Sequence, residues 1–220
     1  ISIANDHNEL KTKFIQNISA QMGPTLDSLS TSAVSLSDIA ETQSIQMQKQ
    51  INALKKFSDD IQELSSLENS LSDIYEMEMI NANYFCESVM NSVRDKIQPG
   101  VTVMVNAINM QVKTNPVQLN KILSHLLENA AIHTQSGKIM LDYKKRGAHT
   151  HQFIVTDNGP GIPAERQENL FKPFAEIKDL TQGDGLGLPI CSLIAIKMNG
   201  NLTLDTSYTR GCRFVLELHV

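Results

Sequence analysis

Glycine and proline are divided unevenly along this 220-residue chain: of 11 glycines and 7 prolines, residues 1–71 hold one each, Gly23 and Pro24. That texture allows long helices first and demands tight turns later. The expected organisation is an α+β fold, with a helical segment over 1–71 followed by an α/β domain over 72–220. In the first segment apolar residues recur at steps of three and four: Phe14, Ile18, Met22, Leu26, Leu29, Ala33 and Leu36. After Thr42-Gln43-Ser44 the pattern resumes at Met47, Ile51, Leu54, Phe57, Ile61, Leu64, Leu67 and Leu71. Each set forms one apolar stripe on a helix. A short connection between two long helices implies an antiparallel hairpin. Two helices cannot fully bury both stripes against each other. A homodimeric four-helix bundle is therefore expected, the alternative being a hairpin packed only on the following domain. Gly23-Pro24 predicts a kink in the first helix.

Over 72–220 the pattern predicts strands near 75–80, 102–106, 138–145, 152–157, 201–206 and 213–219. Helices are expected near 81–96, 116–132 and 187–198. Asn115-Pro116 reads as a helix start and Asn199-Gly200 as a helix end. Mixed strands with helices on one face imply a two-layer α/β sandwich. A formal charge of -5 and a pI near 5.7 disfavour a nucleic-acid surface. No apolar run reaches about 18 residues and no secretory signal opens the chain. Any membrane attachment would belong to parts of a parent protein outside this sequence, which begins at Ile1. Cys86, Cys191 and Cys212 are far apart and form no Cys-x-x-Cys pair. They read as packing residues in a reducing, cytoplasmic compartment.

Two glycine clusters carry the chemistry: Asp157-Asn158-Gly159-Pro160-Gly161-Ile162-Pro163 and Gly183-Asp184-Gly185-Leu186-Gly187-Leu188. Asp157 ends the apolar strand Phe153-Ile154-Val155, where a carboxylate can accept from the exocyclic amine of adenine. Gly159 and Gly161 let backbone approach the base. The second cluster leads into a helix, whose N-terminus offers N–H groups and a favourable dipole to phosphate. Asp184 would face that phosphate as a like charge, unless it points to solvent or helps position a metal. Asn129, on the helix from Pro116, carries an amide oxygen suited to Mg²⁺. His133 lies four residues on, on the same face and within reach of a phosphate. Each element alone also fits a bland turn, cap or surface residue.

In this order the elements are specific. Leu126-Leu127-Glu128-Asn129-Ala130-Ala131-Ile132-His133-Thr134 resembles the N box of sensor histidine kinases. Asp157 to Pro163 resembles their first glycine box, Phe171-Lys172-Pro173-Phe174 their phenylalanine box, and Gly183 to Gly187 their second glycine box. The hairpin is similar to the family's dimerisation and phosphotransfer domain. The resemblance implies a Bergerat-type fold that binds ATP and Mg²⁺. Asp157 would bind the adenine amine and Asn129 the metal. Gly185, Leu186 and Gly187 would lie at the phosphates, and residues 164–182 would form a short mobile lid. A response-regulator receiver domain, or a histidine-bearing partner, would take the phosphoryl group.

One box departs from the family. Its phosphoacceptor stretch normally reads Phe, four residues, then Ser-His-Glu-apolar-Arg-Thr-Pro-Leu. Phe14, Ser19 and Leu26 keep the frame, but Ala20 replaces the histidine, Gln21 the acidic base and Gly23 the arginine, and the proline moves to Pro24. An alanine methyl has no lone pair to attack phosphorus, and an amide is no general base near neutral pH. His7 lies about 20 Å away along a helix. His149 and His151 are expected to be exposed beside a hairpin turn, and His219 ends a strand. His125 stands four before Asn129, where gyrase-like ATPases carry a catalytic Glu, and Glu128 lies on another helix face. Three readings follow: a histidine kinase core whose acceptor lies elsewhere, a nucleotide-regulated pseudokinase dimer, and, less favoured, a stand-alone gyrase- or MutL-like ATPase.

Overall fold

The computed structural model describes residues 26–27, 29–31, 41–69, 75–172 and 186–220. The chain divides into two compact units, Ile1–Leu71 with Lys172–Ile190 and Ser72–Phe171 with Cys191–Val220.

The first unit contains helix α1 (Glu41–Asn69), 29 residues and about 44 Å long. Ile51, Ser58, Ile61, Leu64, Ser65 and Leu67 form its buried face. Leu26, in a short helical stretch upstream, is buried as well. Gln48 donates to Ser30 at 3.3 Å, and Lys55 pairs with Asp27 at 2.5 Å. Partners that descend in one segment as they rise in the other make the two antiparallel. Leu29, Ile45 and Met47 stay 42–53% exposed despite their apolar character. Among the described residues no helix is long and apolar enough to cross a membrane.

The second unit opens with β1 (Glu78–Asn81), α2 (Ala82–Ser92) and a 3₁₀ turn at Arg94–Lys96. Then come β2 (Thr102–Asn106), β3 (Gln111–Thr114), α3 (Pro116–His133), β4 (Lys138–Lys145), β5 (Thr150–Asp157) and the single turn α4 (Ala164–Gln167). Helix α5 (Gly187–Lys197), β6 (Gly200–Leu204) and β7 (Arg213–His219) complete the chain. The main sheet has the order β2-β4-β5-β7-β6, with only the β2–β4 pair parallel. β1 and β3 form a separate antiparallel pair.

Side-chain alternation gives the sheet one apolar face. Ile139, Leu141 and Tyr143 lie in register with Asp157, Val155 and Phe153, which in turn meet Phe214 and Leu216. α2 and α3 pack on this face. α3 contributes Leu119, Ile122, Leu123, Leu126, Leu127, Ala130 and Ala131, all at most 2% exposed. Each large side chain so buried stabilises by about 1.5–3 kcal/mol. The helix starts as its sequence predicts. Asn115 Oδ1 accepts from the Gln118 N–H at 2.9 Å, and Pro116 occupies the first turn, where no N–H is needed. Asn199, past the end of α5, takes φ 57°.

Some expectations need correction. The helix expected over 81–96 stops at Ser92 and continues only as the 3₁₀ turn. The strand expected at 75–80 is shorter and shifted, to Glu78–Asn81, where it pairs with β3. β3 was not foreseen, because four residues of alternating burial carry too little period to stand out. His151 is buried at 5% exposure rather than exposed, because β5 begins earlier than the turn chemistry implies. Its Nδ1 lies 2.6 Å from the Tyr143 hydroxyl, and burial pushes its pKa below the usual histidine value. None of the three cysteines forms a disulfide; Cys86 and Cys191 are buried, and burial raises the Cys86 thiol to about 12.

Candidate nucleotide-binding site

The antiparallel pairing of β5 with β7 delivers Asp157 to the end of a central strand, on the face that carries the helices. Its backbone N–H donates to the Cys212 carbonyl at 2.9 Å. Its carboxylate Oδ1 accepts two backbone bonds, from Gly159 at 2.7 Å and Cys212 at 3.2 Å. Asp157 is only 5% exposed. Burial raises its pKa above the usual carboxylate value, while the Gly159 and Cys212 amides and the nearby His133 oppose that rise. A buried carboxylate anchored on one oxygen has little freedom to turn, which suits fixed recognition of a donor.

Close packing around it explains the glycines. A Cβ on Gly159 would stand 3.0 Å from Asp157 Oδ1 and 3.1 Å from the His133 carbonyl oxygen. The loop after β5 therefore passes directly against the C-terminal end of α3. Gly211, at φ +139°, is tighter still, since a Cβ there would fall 2.1 Å from the Asp157 carbonyl oxygen. Gly161 also takes positive φ, +75°.

Asn158 locks the surrounding loops. Its Nδ2 donates to the Tyr208 hydroxyl at 3.0 Å and the Arg210 carbonyl at 3.2 Å, and its Oδ1 accepts from the Lys138 N–H at 3.2 Å. The Arg213 guanidinium lies 4.2 Å from the Tyr208 ring centroid and pairs with Asp205 at 3.3 Å. Hydrogen bonds from Ser207, then Arg213, hold the Asp205 carboxyl below its usual range.

On α3, Asn129 is half-buried and its Nδ2 lies 3.2 Å from His125 Nε2, one turn earlier. His133 ends the helix, exposed, with its carbonyl against Gly159. Phe171 makes an edge contact with Phe214 at 6.4 Å between centroids. Leu186 is buried and accepts the Ile190 N–H at 2.9 Å, and Gly187 is the first residue of α5. Phe174, Gly183, Asp184 and Gly185 lie outside the described residues, as do Ala20, Gln21 and the kink at Gly23-Pro24. Asn129, His133, Asp157, Gly159, Gly161 and Phe171 all belong to the second unit.

Sequence reading missed Gly211, Cys212 and Asn158. Asn158 directly follows Asp157 and could have been suspected as a turn residue. Gly211-Cys212 could not, because only the β5–β7 register brings that pair onto Asp157. The donor set also bears on metal binding. No group of three or more His, Cys, Asp or Glu that could hold a metal ion occurs among the described residues. An amide oxygen such as Asn129 Oδ1 fits instead a hard cation that is held mostly by phosphate oxygens and water.

A family model, the histidine kinase-, DNA gyrase B- and HSP90-like ATPase, matches residues 114–220. The sensor histidine kinase RcsC of Escherichia coli (strain K12) is 32% identical over 126 residues, which are 56% of this chain and 12% of that protein. Two-component system protein A of Emericella nidulans is 24% identical over an alignment that covers 92% of this chain and 32% of its own length. The chain therefore spans only a fraction of the relatives it matches. Among solved structures, full-length ShkA in complex with AMPPNP superposes with a TM-score of 0.73 at 18% identity, over 94% of this chain and 45% of that one. At that identity the likeness speaks for the fold, N-terminal helices with a Bergerat-type sheet domain. The family match over residues 114–220, together with these relatives, supports a histidine kinase with an ATP-binding catalytic domain.

Proposed function

We propose that this chain is the cytoplasmic core of a two-component sensor histidine kinase, which binds ATP with Mg²⁺ and supplies phosphoryl groups to an acceptor other than residue 20. The observation that carries the reading is the buried Asp157 carboxylate, fixed through Oδ1 by the Gly159 and Cys212 amides. Oδ2 would accept from the adenine amine, and Gly159 and Gly161 would let the base lie against backbone. His133 would lie within reach of a phosphate, and Asn129 Oδ1 would be the protein's oxygen on the metal. Gly183, Gly185, Leu186 and Gly187 would line the phosphates, under a lid carrying Phe171 and Phe174. Bound Mg²⁺ would neutralise phosphate charge as the γ-phosphoryl group departs. The residues of this chain would orient the nucleotide and exclude water.

Exposed Leu29, Ile45 and Met47 support pairing of the hairpin with a second copy. A receiver domain or a histidine-bearing partner would accept the phosphoryl group. A pseudokinase, in which nucleotide sets the conformation of a signalling dimer, is the second reading. The paired loss of histidine and acid at Ala20 and Gln21 favours it.

Titration of Mg–ATP against this chain and against Asp157→Asn tests the pocket. Incubation with γ-labelled ATP then tests the acceptor. Binding by the unmutated chain, weakened in the variant, with no acid-labile phosphate on the chain itself, is the expected result. No binding by the unmutated chain refutes the pocket. Phosphohistidine on the chain refutes the claim about Ala20.

A further inference from the structure

The nucleotide reading leaves His125 without a part, although it faces the site. His125, Asn129 and His133 follow one another at steps of four along α3, which places them on one face of the helix. That polar row adjoins the apolar face of Leu123, Leu126 and Leu127, which is buried to 1% exposure or less. Within the row, the Asn129 amide nitrogen lies 3.2 Å from His125 Nε2. An amide nitrogen has no lone pair to offer, so Nε2 must be the acceptor and the imidazole carries its proton on Nδ1. The contact therefore does more than join two polar groups. It fixes which end of a nearly symmetric side chain faces which way. With Nδ2 tied to the preceding turn, Oδ1 occupies the opposite corner of the amide. No hydrogen bond to it is seen among the described residues.

We propose that His125 is the positioning residue of the metal site: it holds the Asn129 amide in the one orientation that presents oxygen, not nitrogen, to a phosphate-bound divalent cation. The inference rests on Asn129 serving as the metal's protein ligand. A cation cannot be ligated by an NH₂ group, so an unrestrained amide must be turned and held as Mg–ATP binds. Restraint within the free protein removes that cost beforehand. The effect is confined to nucleotide that arrives with its metal, which separates it from a general role in stabilising α3.

Calorimetric titration of the full chain with ATP in Mg²⁺, and again with ATP in EDTA, tests this. The proteins are the unmutated chain, His125→Ala, His125→Gln, Asn129→Ala and the double variant His125→Ala with Asn129→Ala. Alanine is the best helix former, so α3 survives these changes; a melt of each nucleotide-free variant checks it. His125→Ala is expected to weaken binding about three- to tenfold in Mg²⁺, as one neutral hydrogen bond is worth, and to leave binding in EDTA unchanged. His125→Gln, whose amide oxygen accepts the same bond, is expected to recover most of the loss. The double variant is expected to bind no more weakly than Asn129→Ala. Equal loss in both media, or additive losses in the double variant, overturns the positioning role. An inert His125→Ala, in a protein that binds ATP more tightly with Mg²⁺, overturns it while leaving the nucleotide reading intact. An unmutated chain that shows no preference for Mg²⁺ removes Asn129 from the metal and His125 with it. One that binds no ATP refutes the nucleotide reading itself.

Discussion

Asp157→Asn separates the structural task of one carboxylate from the ligand-binding task proposed for it. In the fold, Oδ1 accepts from Gly159 at 2.7 Å and Cys212 at 3.2 Å, and an asparagine Oδ1 can accept the same two bonds. At the ligand, Oδ2 becomes an NH₂ group, and a donor then faces the amine it should accept from. A hydrogen bond to a charged group is worth about 1.5–3 kcal/mol, and each 1.4 kcal/mol is tenfold, so ATP affinity should fall roughly 10- to 150-fold. Stability should move the opposite way. Burial raises the Asp157 pKa above its unfolded value. The folded state therefore holds the proton more tightly, and the stability this contributes is lost as pH rises through the folded pKa. At neutral pH the nucleotide-free protein carries the whole penalty of a buried, ionised carboxylate, and asparagine removes it. Thermal melts with and without Mg–ATP read both effects. The unmutated chain should melt lower and gain strongly on ligand; the variant should melt higher and gain little. A variant that melts lower and keeps the full ligand shift would mean that Asp157 serves the fold and not the base.

Gly211→Ala should lower stability by about 2–3 kcal/mol, since its Cβ would fall 2.1 Å from the Asp157 carbonyl oxygen at φ +139°; a urea titration reads the loss. Asn115→Ala removes the α3 cap to Gln118 and the bond to the Glu76 carbonyl, and should cost about 1–2 kcal/mol in the same assay. The depressed pKa of His151 means that the unfolded state binds its proton first as pH falls. Stability should be flat in this respect above pH ~6.5 and decline below it. Melts at pH 8 and pH 5 read that decline, which His151→Gln should reduce.

How much of this was legible depended on the range of the signal. Asn115-Pro116 and the apolar spacing from Leu119 to Ala131 act within a few turns, so both the limits and the buried face of α3 could be read from sequence. Asp157 at a strand end was equally local. The partners that fix it were not. Cys212 and Gly211 reach Asp157 only through the β5–β7 register, across more than fifty residues of chain. His151 misled for a related reason. A histidine beside an expected turn looks exposed until β5 is seen to extend through it and its pairing with β4 and β7 buries it next to Tyr143. The contact of the His133 carbonyl with Gly159 was likewise hidden, because periodicity gives direction around a helix and says nothing of which loop closes over its end.

Donor pocket and acceptor are separable parts, and this chain makes the separation chemical. Ala20 offers phosphorus no lone pair, so whatever the pocket binds, residue 20 cannot be phosphorylated. The two proposed readings then differ in what ATP binding must achieve. A kinase acting on an acceptor in trans must turn over, and releases ADP in proportion to the phosphate that appears on its partner. A pseudokinase need not turn over, but it obeys a stricter equilibrium condition. A ligand shifts a conformational equilibrium only by its difference in affinity for the two states, so ATP and ADP must bind those states unequally if the nucleotide is to be a signal. ATP and ADP affinities measured on the dimer and on a hairpin-disrupted monomer decide between them. Equal nucleotide preference in both forms, together with ADP release in the presence of a phosphorylated partner, leaves the kinase. A preference that changes with assembly, without ADP release, leaves the nucleotide-read switch.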